Sequence, residues 1–244
     1  MPERYFAERL GDLIELTPDE RVAIDQLTER ERMVRRGQIL LREHDPVTEL
    51  FVLKSGMMMS YVLLHDGSRQ ILRFLFPGDL LALSALPYRQ SPETLTALTD
   101  CTVCPFERAA FTRVLGEHPR LATAVIVLNQ IERVALTDRL AGLGRTSAKA
   151  RIAALLLEIR DRLARTNRAI GKTFVLGLTQ EEIGDATGLT SVHVNRMLRE
   201  LEDEGLIARD GGRVTLLDER TLARAAHYAD RTTKRDFGWL AADT

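Results

Sequence analysis

Between Leu178 and Leu201 the chain carries two helical patterns hinged on one glycine, and few folds accommodate that arrangement. Thr179 stands where a helix cap is needed, and Glu182, three residues on, completes a capping box. Ile183 and Ala186 then face inward, while Gly188 supplies the left-handed conformation of a sharp turn between helices. Thr190 caps a second helix whose Val194, Met197, Leu198 and Leu201 form a buried face. Ser191, Val192, Asn195, Arg196 and Arg199 are left facing out, beside a helix N-terminus open to a phosphate. Downstream, Arg209 to Leu216 reads as two strands joined at Gly211-Gly212. Helix, turn, helix and wing together predict a winged helix-turn-helix, a unit suited to duplex DNA. The competing reading is a helical hairpin inside another domain, its arginines merely solvated. Two caps, a turn glycine and a wing in the right order weigh against it.

Net charge does not announce such a partner. The formal charge is −1, split as −3 over residues 1–143 and +2 over residues 144–244, so nucleic-acid binding has to rest on the site itself. The two cysteines cannot build a disulfide framework and suit a reducing compartment. No apolar run approaches about 18 residues, and the first residues lack an apolar signal core, so no membrane span and a cytoplasmic address are expected.

The rest of the chain divides by its pattern. Residues 19–33 carry Val22, Ala23 and Leu27 near helical spacing after Pro18, predicting a helix. From 34 to 106 short apolar runs alternate with turn signals at His44-Asp45-Pro46, Ser55-Gly56, His65-Asp66-Gly67 and Pro77-Gly78-Asp79. Such spacing predicts many short strands, a β-roll, with Asp66-Gly67 at a tight hairpin between 58–64 and 69–75. Pro119 to Leu143 then reads as one helix about 36 Å long. Leu121, Ala124, Leu128, Ile131, Ala135 and Asp138 recur at a-and-d spacing, and Val125, Val127, Val134 and Leu140 widen the stripe. A stripe this wide can face both the chain's own roll and a twin helix across a dimer axis, and the six a-and-d residues are assigned to the dimer. The simpler alternative is a core helix of a monomer. Gly142-Leu143-Gly144 is expected to break the helix, and Ser147 to cap the next one at 148–164. Residues 166–177 form a loop or short strand. The tail makes a short helix through Tyr228, after which Phe237 and Trp239 can dock on the body.

At this point the sequence resembles the CRP/FNR superfamily over nearly its whole length. The resemblance is carried by Gly37-x-x-Leu40, Asp45-Pro46, Leu50-x-Val52-Leu53-x-Ser55-Gly56 and Phe76-Pro77-Gly78-Asp79, followed by residues 178–207. It implies an α+β chain: a cupin-like double-stranded β-roll for sensing (1–118), a dimerisation helix (119–143), a winged helix-turn-helix (144–220) and a tail (221–244). It implies a homodimer that reads a pseudo-palindromic DNA site, with RNA polymerase as a further partner, although no residue-level signature of that contact is present. Base contacts fall on Ser191, Val192 and Arg196, with Asn195 on the same face, and Thr179, Gln180, Thr190, His193 and Arg199 fall near phosphates. Arginine at 196 can bond bidentately to guanine O6 and N7. Better-known members have a glutamate where Val192 stands, accepting from a cytosine amino group. Valine cannot accept, but it packs on a thymine methyl.

The sensing half departs from the family's cyclic-nucleotide members. The glutamate that holds the ribose falls on Leu83, and the arginine-serine pair falls in Ser91-Pro92-Glu93, where an acid would repel a phosphate. Arg89 is one residue out of register, and the adenine-reading pair falls on Leu136-Thr137. Cyclic AMP is therefore not the expected effector. No cysteine precedes Cys101, which removes the N-terminal iron–sulfur cluster of FNR-type sensors. Cys101 and Cys104, three apart in a strand, point to opposite faces and read as buried small hydrophobes, not metal or redox ligands. A haem would draw on His44, His65, His118 or a cysteine, and nothing in their spacing selects one. No metal site and no resident cofactor are expected, and no Ser/His/Asp, Cys/His or metal-ligand set suggests an enzyme. Two alternatives to a DNA-binding regulator stay open on sequence: a cyclic-nucleotide-binding regulatory subunit without DNA contact, and a haem or redox sensor.

Overall fold

A computed structural model describes residues 5–167, 169–231 and 236–240. Two short helices open it, α1 (Tyr5–Gly11) and α2 (Pro18–Leu27). The Thr17 hydroxyl accepts from the Glu20 N–H at 3.2 Å, and the Glu20 carboxylate accepts from the Thr17 N–H at 2.8 Å. This helix stops at Leu27, well short of the expected residue 33. Thr28 binds back onto the carbonyls of Ile24 and Asp25, and residues 32–34 instead extend as a strand paired with Cys101–Val103. The charged run at 29–32 had no apolar periodicity to sustain a helix.

Eight strands follow: β1 (Arg32–Val34), β2 (Ile39–Leu41), β3 (Glu49–Ser55), β4 (Met58–Leu63), β5 (Arg69–Leu75), β6 (Leu80–Leu81), β7 (Thr94–Ala97) and β8 (Cys101–Glu107). They form two four-stranded sheets in the orders β1-β8-β3-β6 and β2-β7-β4-β5. The fold is the expected α+β arrangement, a jelly-roll-like β-roll followed by a long helix and a helix-turn-helix. Turn chemistry sets the strand ends. At Gly56 (φ +89°) a Cβ would stand 2.5 Å from the Asp100 carbonyl oxygen, so only glycine fits. Between β4 and β5, the Asp66 carboxylate accepts from the backbone and hydroxyl of Ser68, and Gly67 takes φ +83°. His44 occupies an exposed turn at φ +70°. Cys101 and Cys104 are buried, unpaired thiols, both pushed up in pKa by burial.

Helix α3 (Arg108–Glu117) leads into α4 (Pro119–Arg145), which runs through Gly142 and Gly144 without breaking. Each glycine costs only about 1 kcal/mol in a helix, and the Thr146 N–H and hydroxyl both bind the Gly142 carbonyl at the end. Chain reversal waits for Ser147, whose hydroxyl caps α5 (Ala148–Thr166).

Helix α4 corrects the assignment of its faces. Leu121, Ala124 and Leu128 are 2%, 0% and 8% exposed, packed into the core of the chain's own roll, and Ile131 is half-buried against the same core. Leu121, Ala124 and Leu128 therefore leave no surface for a second copy, whereas Ile131 keeps part of its own. Ala135 and Asp138 are exposed, but Asp138 is held by the Arg231 guanidinium at 2.6 and 2.7 Å. The large apolar residues that α4 exposes are Ile126 (60%), Leu136 (41%) and Leu140 (71%). Both faces repeat with the same period, so periodicity alone could not tell which one was spent on the roll.

Contacts divide the chain into two units. One comprises the described residues of Met1–Val62, Phe74–Val134 and Lys234–Thr244; the other is Leu63–Arg73 with Ala135–Thr233. The second contains α5, β9 (Thr173–Val175), α6 (Gln180–Thr187), α7 (Ser191–Asp203), β10 (Ile207–Asp210), β11 (Arg213–Leu216) and α8 (Glu219–Ala225). Within it, Arg139 binds the Leu72 carbonyl at 2.6 Å and both Glu158 oxygens at 2.9 and 2.8 Å. Helix α8 ends before the expected Tyr228, whose hydroxyl donates to Asp161 at 2.7 Å. Burial, reinforced by the Asp161 carboxylate, pushes that phenol well above its ordinary pKa. In the first unit Phe237 and Leu240 pack on the roll's core, whereas Trp239 is 60% exposed and does not dock. The tail residues 232–235 and 241–244 lie outside the described residues.

Candidate nucleic-acid interface

The turn between α6 and α7 is built from local bonds. The Thr179 hydroxyl accepts from the Glu182 N–H at 3.2 Å, and the Glu182 carboxylate accepts from the Thr179 N–H at 2.7 Å. Helix α6 ends at Gly188 in the left-handed conformation, φ +66°. The Thr190 hydroxyl then accepts from the His193 N–H at 3.3 Å and starts α7. Val194, Met197, Leu198 and Leu201 are all buried, as are Ile183 and Ala186, because α7 packs on both α5 and α6.

One residue that closes this turn was missed in the sequence. Gly184 lies inside α6, where a glycine has no conformational reason to be. A Cβ there would stand 2.3 Å from the Leu189 carbonyl oxygen, and the Leu189 N–H donates to the Gly184 carbonyl at 3.0 Å. The signal was a glycine in mid-helix, which calls for a close backbone approach.

Seven of the nine DNA-contact candidates occupy the cap or the first three turns of α7. Thr190, Ser191, Val192, Arg196 and Arg199 are exposed, and His193 and Asn195 are half-buried. Val192, at 80% exposure, is an apolar side chain held out in water. Thr179 and Gln180 are exposed at the start of α6. Helix α7 has 13 residues, about 20 Å, and its backbone donors at the N-terminus suit an anion. Arg196 reaches back to His193, with Nη2 and Nε2 2.9 Å apart.

The supports of α7 hold its far end. The Arg209 guanidinium binds Glu202 at 2.6 Å, and the Arg209 N–H binds the same carboxylate at 3.1 Å. These bonds tie β10 to α7 and hold the Glu202 carboxyl below its ordinary value. Lys149 of α5 reaches Glu204 at 2.5 Å. The β10–β11 wing turns at Gly211 and Gly212, and β9 adds a third strand beside β11. On the other side, Arg69 binds the Asp185 carboxylate of α6 at 2.7 Å, and Gln70 donates to the Asp185 carbonyl at 2.8 Å. Residues separated by more than a hundred positions gave no sequence signal for this bracing. Among the described residues, no three of His, Cys, Asp and Glu gather as metal ligands would, and no helix is long and apolar enough to cross a membrane.

Comparison with known proteins agrees with this geometry. Residues 31–118 match the model of the cyclic nucleotide-binding domain, and residues 150–225 match that of the Crp-like helix-turn-helix domain. The nitrogen fixation regulation protein FixK of Bradyrhizobium diazoefficiens is 36% identical over 198 residues, covering 79% of this chain and 82% of FixK. The fumarate and nitrate reduction regulatory protein of Escherichia coli K12 is 27% identical over 205 residues, covering 84% of this chain and 82% of that one. Among solved structures, FixK2 from Bradyrhizobium japonicum superposes with a TM-score of 0.73 at 27% identity, covering 80% of this chain and 96% of FixK2. A CRP-family transcriptional regulator from Thermus thermophilus gives 0.63 at 30% identity, covering 80% of this chain and 96% of its own.

A β-roll, a long helix and an exposed reading helix on a winged head define a DNA-binding transcription regulator. The match to FixK over four-fifths of both chains makes the family plain: the chain belongs to the CRP/FNR regulators.

Proposed function

We propose that the protein acts as a homodimer whose two α7 helices enter successive major grooves of a pseudo-palindromic site, with half-sites about 34 Å apart. The observation that carries this reading is the split of α7, with four apolar residues buried on one side and Val192, Arg196 and Arg199 exposed on the other. Arg196 reads a guanine, and Val192 packs on a thymine methyl where a glutamate would have selected cytosine. Ser191 and Asn195 lie beside them, while Thr179, Gln180, Thr190 and Arg199 hold phosphates. The dimer forms along the exposed Ile126, Leu136 and Leu140 of α4. Its DNA partner puts it in the cytoplasm, with RNA polymerase as the further partner of a regulator.

The same reading makes the effector something other than a cyclic nucleotide. In the stretch where a cyclic phosphate would need an arginine, Glu93 is 5% exposed and its carboxylate accepts from the Ser84 hydroxyl at 2.6 Å. Arg89 is exposed. A buried acid repels an anionic phosphate, so these residues do not suit that ligand.

The test is selection from a random duplex library with the purified protein at fixed salt, with and without cyclic AMP. A two-fold symmetric motif, unchanged by the nucleotide, is the expected result. Enrichment that appears only with cyclic AMP would refute the effector reading. Recovery of no motif in either condition would refute the base-reading assignment.

A further inference from the structure

We propose that His193 is a positioning residue for base recognition, holding the Arg196 guanidinium in place and taking over, without a charge, a role that a carboxylate could fill. The inference rests on the reading of Arg196 as a base contact and deepens it.

Nη2 of Arg196 lies 2.9 Å from Nε2 of His193, one helical turn earlier. A guanidinium can only donate, so Nε2 is the acceptor and the ring proton sits on Nδ1. The imidazole is therefore neutral in this arrangement. The backbone beneath it is held at the helix cap, where the His193 N–H donates to the Thr190 hydroxyl. His193 is half-buried, whereas Arg196 is exposed. The less exposed partner thus orients the more exposed one.

Two consequences follow from the chemistry. An exposed arginine carries rotamer entropy, which must be surrendered when it docks on a guanine. A bond already made in the free protein removes part of that cost. An acceptor without charge also leaves the guanidinium fully cationic, whereas a carboxylate would compete with the guanine and cancel its charge. Among the described residues no carboxylate pairs with Arg196. Val192, 80% exposed on the same turn, has no acceptor of its own, so the acceptor for Arg196 comes from His193.

The experiment uses the full-length protein and the duplex that the parent enriches from a random library. Arg196→Ala first identifies the base pair at which preference is lost. His193→Ala is then expected to reduce preference at that same pair by about five- to tenfold, the size of one hydrogen bond. Non-specific binding and the salt slope stay as in the parent. His193→Gln, whose amide oxygen can still accept, restores most of the preference. Added to Arg196→Ala, His193→Ala changes nothing further at that pair. The proposal is overturned if His193→Ala weakens all duplexes equally with a shallower salt slope, which would make His193 a phosphate contact. Full retention of preference in His193→Ala, or failure of the glutamine variant to restore it while melting as the parent does, overturns it equally. If Arg196→Ala relaxes no base pair, the underlying reading of α7 falls, and this inference falls with it.

Discussion

Replacing Gly184 with alanine tests the geometry of the reading head at its tightest point. The added methyl would lie 2.3 Å from the Leu189 carbonyl oxygen and 3.4 Å from its carbonyl carbon. That is about 1 Å inside van der Waals contact, and both obstructing atoms are backbone, which cannot swing away. Alanine would gain roughly 1 kcal/mol over glycine as a helix former. Overpacking of this kind costs about 3 kcal/mol, at the upper end for inserted methyl groups. The net loss is about 2 kcal/mol, or a fall in Tm of about 4–8 °C for a chain of this size. Relief would come by pushing α7 away from α6 by about 1 Å, a shift large enough to spoil hydrogen bonds to base edges. Binding to the enriched duplex should therefore drop at least about tenfold, with non-specific affinity kept. Gly188→Ala is the control. Its methyl meets only the ends of Arg151 and Leu143 side chains at 3.4 and 3.8 Å, so the cost is the left-handed backbone, about 1 kcal/mol. Differential scanning calorimetry and fluorescence anisotropy on both variants decide the matter. A Gly184→Ala protein that melts within a degree of the parent and binds its site as well would refute the close-approach reasoning.

Two other expectations concern the rest of the molecule. Ile126→Glu with Leu140→Glu should raise the dimer dissociation constant by about 100-fold or more, since two large apolar side chains per protomer lose their burial. Sedimentation should then show folded monomer, whereas Leu128→Glu should unfold the roll; a dimer that survives the double change would remove the α4 interface. Glu202 supplies a pH test. Its carboxyl is held below the ordinary value of 4.5 by the Arg209 side chain, so its contribution is present above that value and is lost as pH falls through the lowered one. Urea unfolding of the parent and of Glu202→Gln should differ at pH 7 and converge in acid; an equal gap at both would show that the Arg209 bond adds nothing.

Much of the reading head was legible because its signals are local. Caps at Thr179, Thr190 and Ser147 and the turn at Gly188 act within four residues, and each took the conformation its sequence demanded. The strands of the roll were legible for the same reason, through turns such as Asp66-Gly67. What failed was whatever depended on distant partners. Both faces of α4 carry the same period, so Leu121, Ala124 and Leu128 were read toward a second copy when the roll had claimed them. Gly142 and Gly144 were read as a break, although α4 runs through both, each costing only about 1 kcal/mol of helix propensity. Asp185 gave no hint that Arg69 and Gln70 would reach it. Gly184 was the readable signal that went unused, a mid-helix glycine whose reason is the backbone of Leu189.

The most direct test of the central claim, that the outer face of α7 reads bases, is the affinity of Arg196→Ala for the enriched duplex and for a scrambled duplex at the same salt. Loss of one bidentate guanine contact predicts about 1–3 kcal/mol, roughly 5- to 150-fold weaker binding to the enriched site, with little change on scrambled DNA. Equal binding of variant and parent to the enriched site, or an equal loss on both duplexes, would contradict it.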